Sequence, residues 1–351
     1  MTAATAEIPS GIDGVTPQWL TEAVGCVVTD VRAEQIAEDS GFSSLLYRLH
    51  LVGDGVPATV IAKLPAQNEA RGAMELLGGY RRELAFYRDV AGRAPMETPR
   101  VYTARIMHNT ADFVLLLEDL QHWDNADHLA GLSMKRARVC IGALAGLHAW
   151  STDAANSPAL ENFPSIDTPI ARDLLVPAFG PGWQIYLDKS PVSVPAAVAG
   201  LAERFADAAA EALTALSEWT MLLHGDIRAD NMFFDGDRLK VVDFQFASVG
   251  AGAADIAYLV SQGLPTDVRR RHDKALVREY LAHLCAAGVE DYGFDEAWRH
   301  YRFAVVYLMI LPVITLNGWD AMPERSRALC LKLTERAVSA IDEIDALEVF
   351  E

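Results

Sequence analysis

The sequence predicts an α+β protein in two lobes, a small antiparallel sheet near the N-terminus followed by a larger, mainly helical part. Three observations predict it. Over residues 26–64, three alternating runs are separated by short polar turns, the pattern of a β-meander. Beyond residue 133, apolar residues recur at three- and four-residue steps in one segment after another, the period of α-helices. Residues 222–246, LLHGDIRADNMFFDGDRLKVVDFQF, read as an apolar strand, a polar loop and a second hairpin turning at Asp235-Gly236-Asp237.

Bulk properties narrow the classes. At 351 residues and 51% hydrophobic content, the chain is long enough to bury the cores of two lobes. A formal net charge of -18 argues against a nucleic-acid partner, whose phosphates demand a basic surface. The same charge favours solubility and tolerates a cationic ligand. Cys26, Cys140, Cys285 and Cys330 lack metal-ligand spacing and read as buried thiols in a reducing compartment. The opening MTAATAEIPSGIDG has neither the basic region nor the apolar core of a signal peptide. The longest uncharged run, residues 303–319, holds Pro312, Asn317 and Gly318 and reads as a buried helix rather than a membrane span. A cytoplasmic protein is expected, with no membrane and no protein partner implied.

Thr16-Pro17 opens the first helix, Thr as cap and Pro in the first turn, and Gly25 ends it. Strands are expected over residues 26–38, 43–52 and 58–64. The tip Asp39-Ser40-Gly41-Phe42-Ser43-Ser44 is made of small residues whose backbone N–H groups can lie over phosphates, though an ordinary turn looks the same. Lys63 interrupts an apolar strand and must find a partner. Glu83, on a helix beginning near residue 69, is the candidate; a surface lysine and a solvated glutamate are the alternative. Residues 99–107 and 112–117 pair around His108-Asn109-Thr110 and run into Glu118-Asp119-Leu120.

Further on, residues 133–150 are helical, with His148 read as a packed core histidine. Five prolines make residues 151–182 an irregular, loop-rich insertion, and an alanine-rich helix follows over 195–218. Asp255 reads as the N-cap of the next helix. Further helices are expected over residues 267–287, 294–315 and 324–347. Tyr301, Tyr307 and Trp319 are either core or lining of an acceptor pocket.

The chemistry concentrates in the hairpin of residues 222–246. Its antiparallel strands are expected to bring Asp226 and Asn231, at the start of one, toward Asp243, at the end of the other. Asn231 and Asp243 offer the oxygen ligands that a hard cation such as magnesium takes. Asp226 is left to orient a hydroxyl group and accept its proton, and together these are the parts of phosphoryl transfer. Taken singly, each would be an ordinary turn or strand-end residue. Arg228 either reaches the transferring phosphoryl group, where a cation offsets developing charge, or pairs with Asp230 or sits in solvent. His224 braces the loop.

The motif His-Gly-Asp-x-x-x-x-Asn at 224–231, followed by Val-Asp-Phe-Gln at 242–245, resembles the catalytic segment of the kinase-like small-molecule phosphotransferases. That superfamily includes aminoglycoside phosphotransferases, choline kinases and ecdysteroid-kinase-like proteins. Gln245 and Leu117-Glu118-Asp119-Leu120 are most similar to the ecdysteroid-kinase-like branch. Protein kinases carry His-Arg-Asp and Asp-Phe-Gly instead, so Gly225 and Gln245 argue against a protein substrate.

The resemblance implies a two-lobed protein-kinase-like fold: residues 1–117 as the nucleotide-binding lobe, 118–121 as hinge, and 122–351 as the catalytic and substrate-binding lobe. It implies ATP and Mg2+ as cofactors. Lys63, oriented by Glu83, and the loop bearing Ser40, Gly41, Ser43 and Ser44 would hold the phosphates. Backbone groups of Glu118 and Leu120 would meet the adenine. Asp226 and Arg228 would be catalytic, Asn231 and Asp243 would hold the metal, and Asp255 would brace the loop. The expected reaction is phosphorylation of a hydroxyl group on a small molecule. A lipophilic, steroid-like alcohol is one acceptor class. An aminoglycoside or amino alcohol, met by acids at residues 124–127, is the other, and a non-catalytic nucleotide-binding protein is the third reading.

Overall fold

A computed structural model describes residues 8–36, 44–107 and 110–351. The chain divides into two compact units. The first comprises Met1–Arg93, Thr98–Trp123 and Val242–Gln245; the second comprises Ala94–Glu97, Asp124–Val241 and Phe246–Glu351.

The first unit is a five-stranded antiparallel sheet with helices. Its strands are β1 (Val28–Ile36), β2 (Ser44–Gly53), β3 (Thr59–Pro65), β4 (Val101–Ile106) and β5 (Phe113–Glu118), in the spatial order β1-β2-β3-β5-β4. Helix α1 (Pro17–Val24) forms where the sequence places it. The Thr16 hydroxyl accepts the Trp19 N–H at 3.2 Å, and Gly25 leaves the helix at φ 78°. Trp19, Leu20 and Ala23 of α1 pack on Leu49, Val60, Ala62, Leu64, Val114 and Leu116. Side chains alternate along a strand, so with Ala62 and Leu64 in that core Lys63 is turned to the opposite face. There lie α2 (Glu69–Leu76) and α3 (Gly79–Ala85), where the sequence suggested one helix. Gly78, at φ 72°, makes the break, and a Cβ on Gly79 would stand 2.0 Å from Met74 Sδ.

The second unit is helical around two small sheets. Strand β6 (Asp124–Asn125) is followed by the long helix α4 (Met134–Thr152), and then β7 (Met221–Leu223), β8 (Met232–Asp235), β9 (Arg238–Val241) and β10 (Ser248–Gly250). β8 and β9 form the expected hairpin, with Met232 opposite Val241, and β6 adds to its edge; β7 pairs with β10. The helix Ala253–Ser261 is buried along its whole length.

Several expected helices are broken. Residues 195–218 form Ala196–Glu203 and Phe205–Leu216, parted at Arg204, whose φ of -115° is not helical. Arg271, at φ 68°, separates Thr266–Arg269 from Asp273–Ala286. The expected irregular stretch after residue 151 instead holds short helical turns and then a helix, Phe179–Lys189, whose Phe179 stacks on Phe205. The apolar run Phe294–Ala321 is long and apolar enough to cross a membrane, yet 61% of its most apolar window is buried within the protein. It is divided into the helices Phe294–Leu308 and Ile310–Thr315.

Candidate active site

In the first unit, Lys63 finds its partners. Its ammonium donates to Glu83 Oε1 at 2.7 Å and to Asp243 Oδ1 at 3.3 Å. Lys63 is only 8% exposed and Glu83 1%, so neither charge can rely on water. Burial alone would depress the lysine pKa, but Asp243 and Glu83 outweigh it and hold the ammonium above its ordinary value. Burial also raises the Glu83 carboxyl against the pull of Lys63. The charged pair is the state that fits the contacts, because the ammonium meets two carboxylates and an amide covers the second Glu83 oxygen. That amide is Gln245, whose Nε2 donates to Glu83 Oε2 and to Ser44 Oγ, each at 3.2 Å.

Asp243 has φ 69°, the left-handed region that Asp tolerates better than most residues. Its neighbour Phe244 stacks on Phe86 with centroids 3.4 Å apart and planes 7° from parallel, and Tyr87 meets Phe244 edge-on. Phe244 and Gln245 are thus fixed immediately after the aspartate.

In the second unit, the loop from His224 to Asn231 is held by its own backbone and by residues outside it. Gly225, at φ 79°, admits no side chain, since a Cβ would lie 2.2 Å from the Phe246 carbonyl oxygen. Asp255 accepts the His224 N–H at 2.7 Å and the Gly225 N–H at 3.0 Å. His148 Nε2 lies 3.2 Å from the same carboxylate, and His148 Nδ1 lies 2.9 Å from the Tyr280 hydroxyl. Burial would raise the Asp255 pKa, but His148, His224 and the Gly225 amide reverse this and lower it. His128 Nδ1 accepts the Ala229 N–H at 3.0 Å, while Asp230 Oδ1 accepts the His128 N–H at 2.9 Å. Burial, then Arg228 and Arg336, push the His128 pKa well down, so its ring is neutral and Nδ1 is an acceptor.

Within this frame the Asp226 N–H donates to His224 Nδ1 at 3.2 Å, and Asn231 Nδ2 donates to the Asp226 carbonyl at 2.9 Å. With its nitrogen so committed, the Asn231 amide has a fixed direction for its oxygen. Asp226 Oδ1 lies 3.3 Å from Arg228 Nε and 3.4 Å from the Tyr258 hydroxyl.

Lys63, Glu83 and Asp243 are thus brought together in the first unit, and Asp226, Arg228 and Asn231 in the second. Ser40, Gly41 and Ser43 lie outside the described residues; Ser44 is buried on Gln245. Glu118 closes β5, donating its N–H to the Arg100 carbonyl at 2.8 Å, and the Leu120 carbonyl accepts the Trp123 N–H.

Four expectations are corrected. Arg228 pairs with Asp226, not Asp230. Asp255 sits inside its helix, whose N-cap is Gly252, and serves the loop instead of the helix end. Tyr301 is fully buried on Asp273 at 2.8 Å and lines no acceptor pocket. Asp124 and Asp127 are already paired, with Arg136 and Arg325, so they offer no bare acidic wall. The sequence reading missed His128 and Tyr258, and it took Gln245 for a marker of resemblance when its amide is part of the Lys63 cluster.

Comparison with known proteins adds to this geometry. A model described as the ecdysteroid kinase-like family matches residues 39–290. Among solved structures, the chain is similar to a choline kinase from Cryptosporidium parvum Iowa II, with 12% identity over 90% of each chain and a TM-score of 0.57. It is similar to the GDP complex of an aminoglycoside 2'-phosphotransferase-IIIa mutant, with 15% identity over 91% of this chain and 94% of that one and a TM-score of 0.56. A choline/ethanolamine kinase family protein from Mesorhizobium loti matches at 16% identity over 91% and 92%, with a TM-score of 0.52. At such identities these are likenesses of fold. No curated protein sequence matches the chain.

Proposed function

Because the chain belongs to the ecdysteroid kinase-like family, we propose that it is a magnesium-dependent kinase that transfers the terminal phosphoryl group of ATP to a hydroxyl group of a small molecule. One observation carries this reading: a buried lysine held at 2.7 and 3.3 Å between a helix glutamate and the aspartate of the Val-Asp-Phe-Gln segment. Burial penalises a lone ammonium, and here two carboxylates hold it charged and aimed.

In this reading Lys63 holds the nucleotide phosphates and Glu83 keeps it aimed, while backbone groups of Glu118 and Leu120 meet the adenine. The phosphate loop includes Ser40, Gly41, Ser43 and Ser44. Asn231 and the Asp243 carboxylate are the magnesium ligands. Both fit a hard cation: each offers oxygen, and hydrogen bonds orient the Asn231 amide and one Asp243 oxygen. Bound magnesium supplies charge neutralisation at the phosphates.

Asp226 aligns the acceptor hydroxyl and receives its proton as the new bond forms. A free aspartate, with pKa near ~4, is a weak base in water, so the main contribution assigned to Asp226 is orientation. Arg228, tethered to that carboxylate, offsets charge on the phosphoryl group in flight. An apolar alcohol is placed ahead of an aminoglycoside or amino alcohol on the ecdysteroid kinase-like match, and Asp124 and Asp127 each already form an exposed ion pair with an arginine.

The test is ATP turnover with magnesium against steroid-type alcohols, choline and aminoglycosides, with Asp226→Asn alongside. Transfer to an alcohol is expected in the native protein, and a loss of about 10²–10⁴-fold in the variant with nucleotide binding retained. Undiminished transfer by Asp226→Asn removes the residue from the mechanism. No magnesium-dependent turnover with any acceptor leaves a nucleotide-binding protein of the same fold.

A further inference from the structure

Asp255 and Tyr258 stand three residues apart on the helix Ala253–Ser261, so they share one face of it. That face meets the loop twice. Asp255 takes the backbone N–H groups of His224 and Gly225, whereas the Tyr258 hydroxyl reaches Oδ1 of the Asp226 side chain at 3.4 Å. Tyr258 is 3% exposed, and the His128 ring sits edge-on to it with centroids 6.4 Å apart.

We propose that Tyr258 is a positioning residue for phosphoryl transfer. Its phenolic O–H, donated to Oδ1 of Asp226, fixes the rotation of that carboxylate so that it meets the acceptor hydroxyl in line with the phosphoryl group. The proposal rests on the assignment of Asp226 above. The step balances within the proposed reaction. The acceptor O–H bond breaks and its proton passes to the Asp226 carboxylate. The acceptor oxygen bonds to the terminal phosphorus of ATP, and the bridging P–O bond breaks with its electron pair leaving on ADP.

Two features make a phenol suited to this. Burial, with Asp226 beside it, raises the Tyr258 pKa well above its usual value, so the hydroxyl remains a donor at any working pH. Arg228 Nε lies 3.3 Å from the same oxygen, a charge contact without hydrogen-bond geometry, so the Tyr258 hydroxyl supplies the directional restraint on that carboxylate. A carboxylate held by the loop backbone alone would keep its side-chain torsions, and misaligned near-attack geometry lowers kcat without weakening binding.

The experiment compares Tyr258→Phe and Tyr258→His with the native protein, using ATP, magnesium and whichever alcohol the acceptor screen identifies. Loss of a hydrogen bond to a charged acceptor is expected to lower kcat by about tenfold to a hundredfold in Tyr258→Phe. KM for ATP and for the alcohol should stay within about twofold. Tyr258→His, which restores a ring N–H, should recover part of the loss. In an Asp226→Asn background, Tyr258→Phe should cost little more, since its target is gone.

A kcat within twofold of native overturns the role of Tyr258 while leaving the kinase reading intact. So does a rise in KM at unchanged kcat. Equal impairment of the Phe and His variants, with a matching fall in thermal stability, assigns Tyr258 to packing and overturns it too. Native protein that transfers to no alcohol overturns both conclusions together.

Discussion

Lys63 shows what a single buried charge demands. An ammonium in a strand interior is tolerated because two carboxylates meet it and the Gln245 amide satisfies the far oxygen of one of them. Removing one member of such a set leaves the others buried and unpaired, which costs about 3–5 kcal/mol, more than the pair itself contributes. Lys63→Met is therefore expected to lose stability as well as nucleotide binding. Lys63→Met/Glu83→Leu should regain much of the stability, because the stranded carboxylate is gone, while remaining inactive. Urea unfolding of the single and double variants, with turnover measured in parallel, checks this. A double variant no more stable than the single one contradicts it.

At the scale of elements, strands β1 to β5 and the β8–β9 hairpin were legible because alternation and a Gly-containing turn are local signals, whereas the short β6 and β10 were not. Helix α1, whose Thr and Gly act within one turn of the chain, was legible too. The helix breaks were not legible. Arg271 adopts a left-handed conformation that nothing in a helical period announces, and the Gly78-Gly79 kink depends on where Met74 packs. The candidate site divides in the same way. Motif residues were found by spacing, whereas His128, 102 positions from Asp230, braces the loop through contacts that no local pattern encodes. Tyr258 was hidden for another reason: an aromatic in an apolar helix reads as core, and only its hydroxyl distinguishes it.

The helix Ala253–Ser261 also carries a pH dependence. Asp255 is fully buried, and its folded pKa lies below the ordinary carboxylate value despite burial, through His148, His224 and the Gly225 amide. A depressed folded pKa means stability that is fully present above the unfolded value near ~4 and lost as pH falls through the folded one. Thermal unfolding should thus show Asp255→Asn destabilised at pH 7, with the gap to native narrowing below pH ~4. A gap that widens in acid contradicts the direction of the shift.

For the whole molecule, a net charge of -18 sets a long-range field that draws in any cationic ligand. Such steering weakens as salt shortens the Debye length from ~10 Å at 0.1 M to ~3 Å at 1 M. The field does not by itself make an acceptor cationic, and Asp124 and Asp127, the first acids after the expected hinge, each already form an exposed ion pair with an arginine. A neutral alcohol feels neither the field nor its screening. The KM of the true acceptor is accordingly expected to change less than about twofold between 0.05 and 0.5 M salt, at fixed magnesium and ATP. An aminoglycoside or choline-type acceptor would instead bind several-fold more weakly as salt rises. Steady-state kinetics across that range, run on whichever compound turns over fastest, separates the two classes. A steep salt dependence would show that unpaired acids elsewhere receive a cation, and the preference for an apolar alcohol would be abandoned while the phosphotransfer chemistry stood.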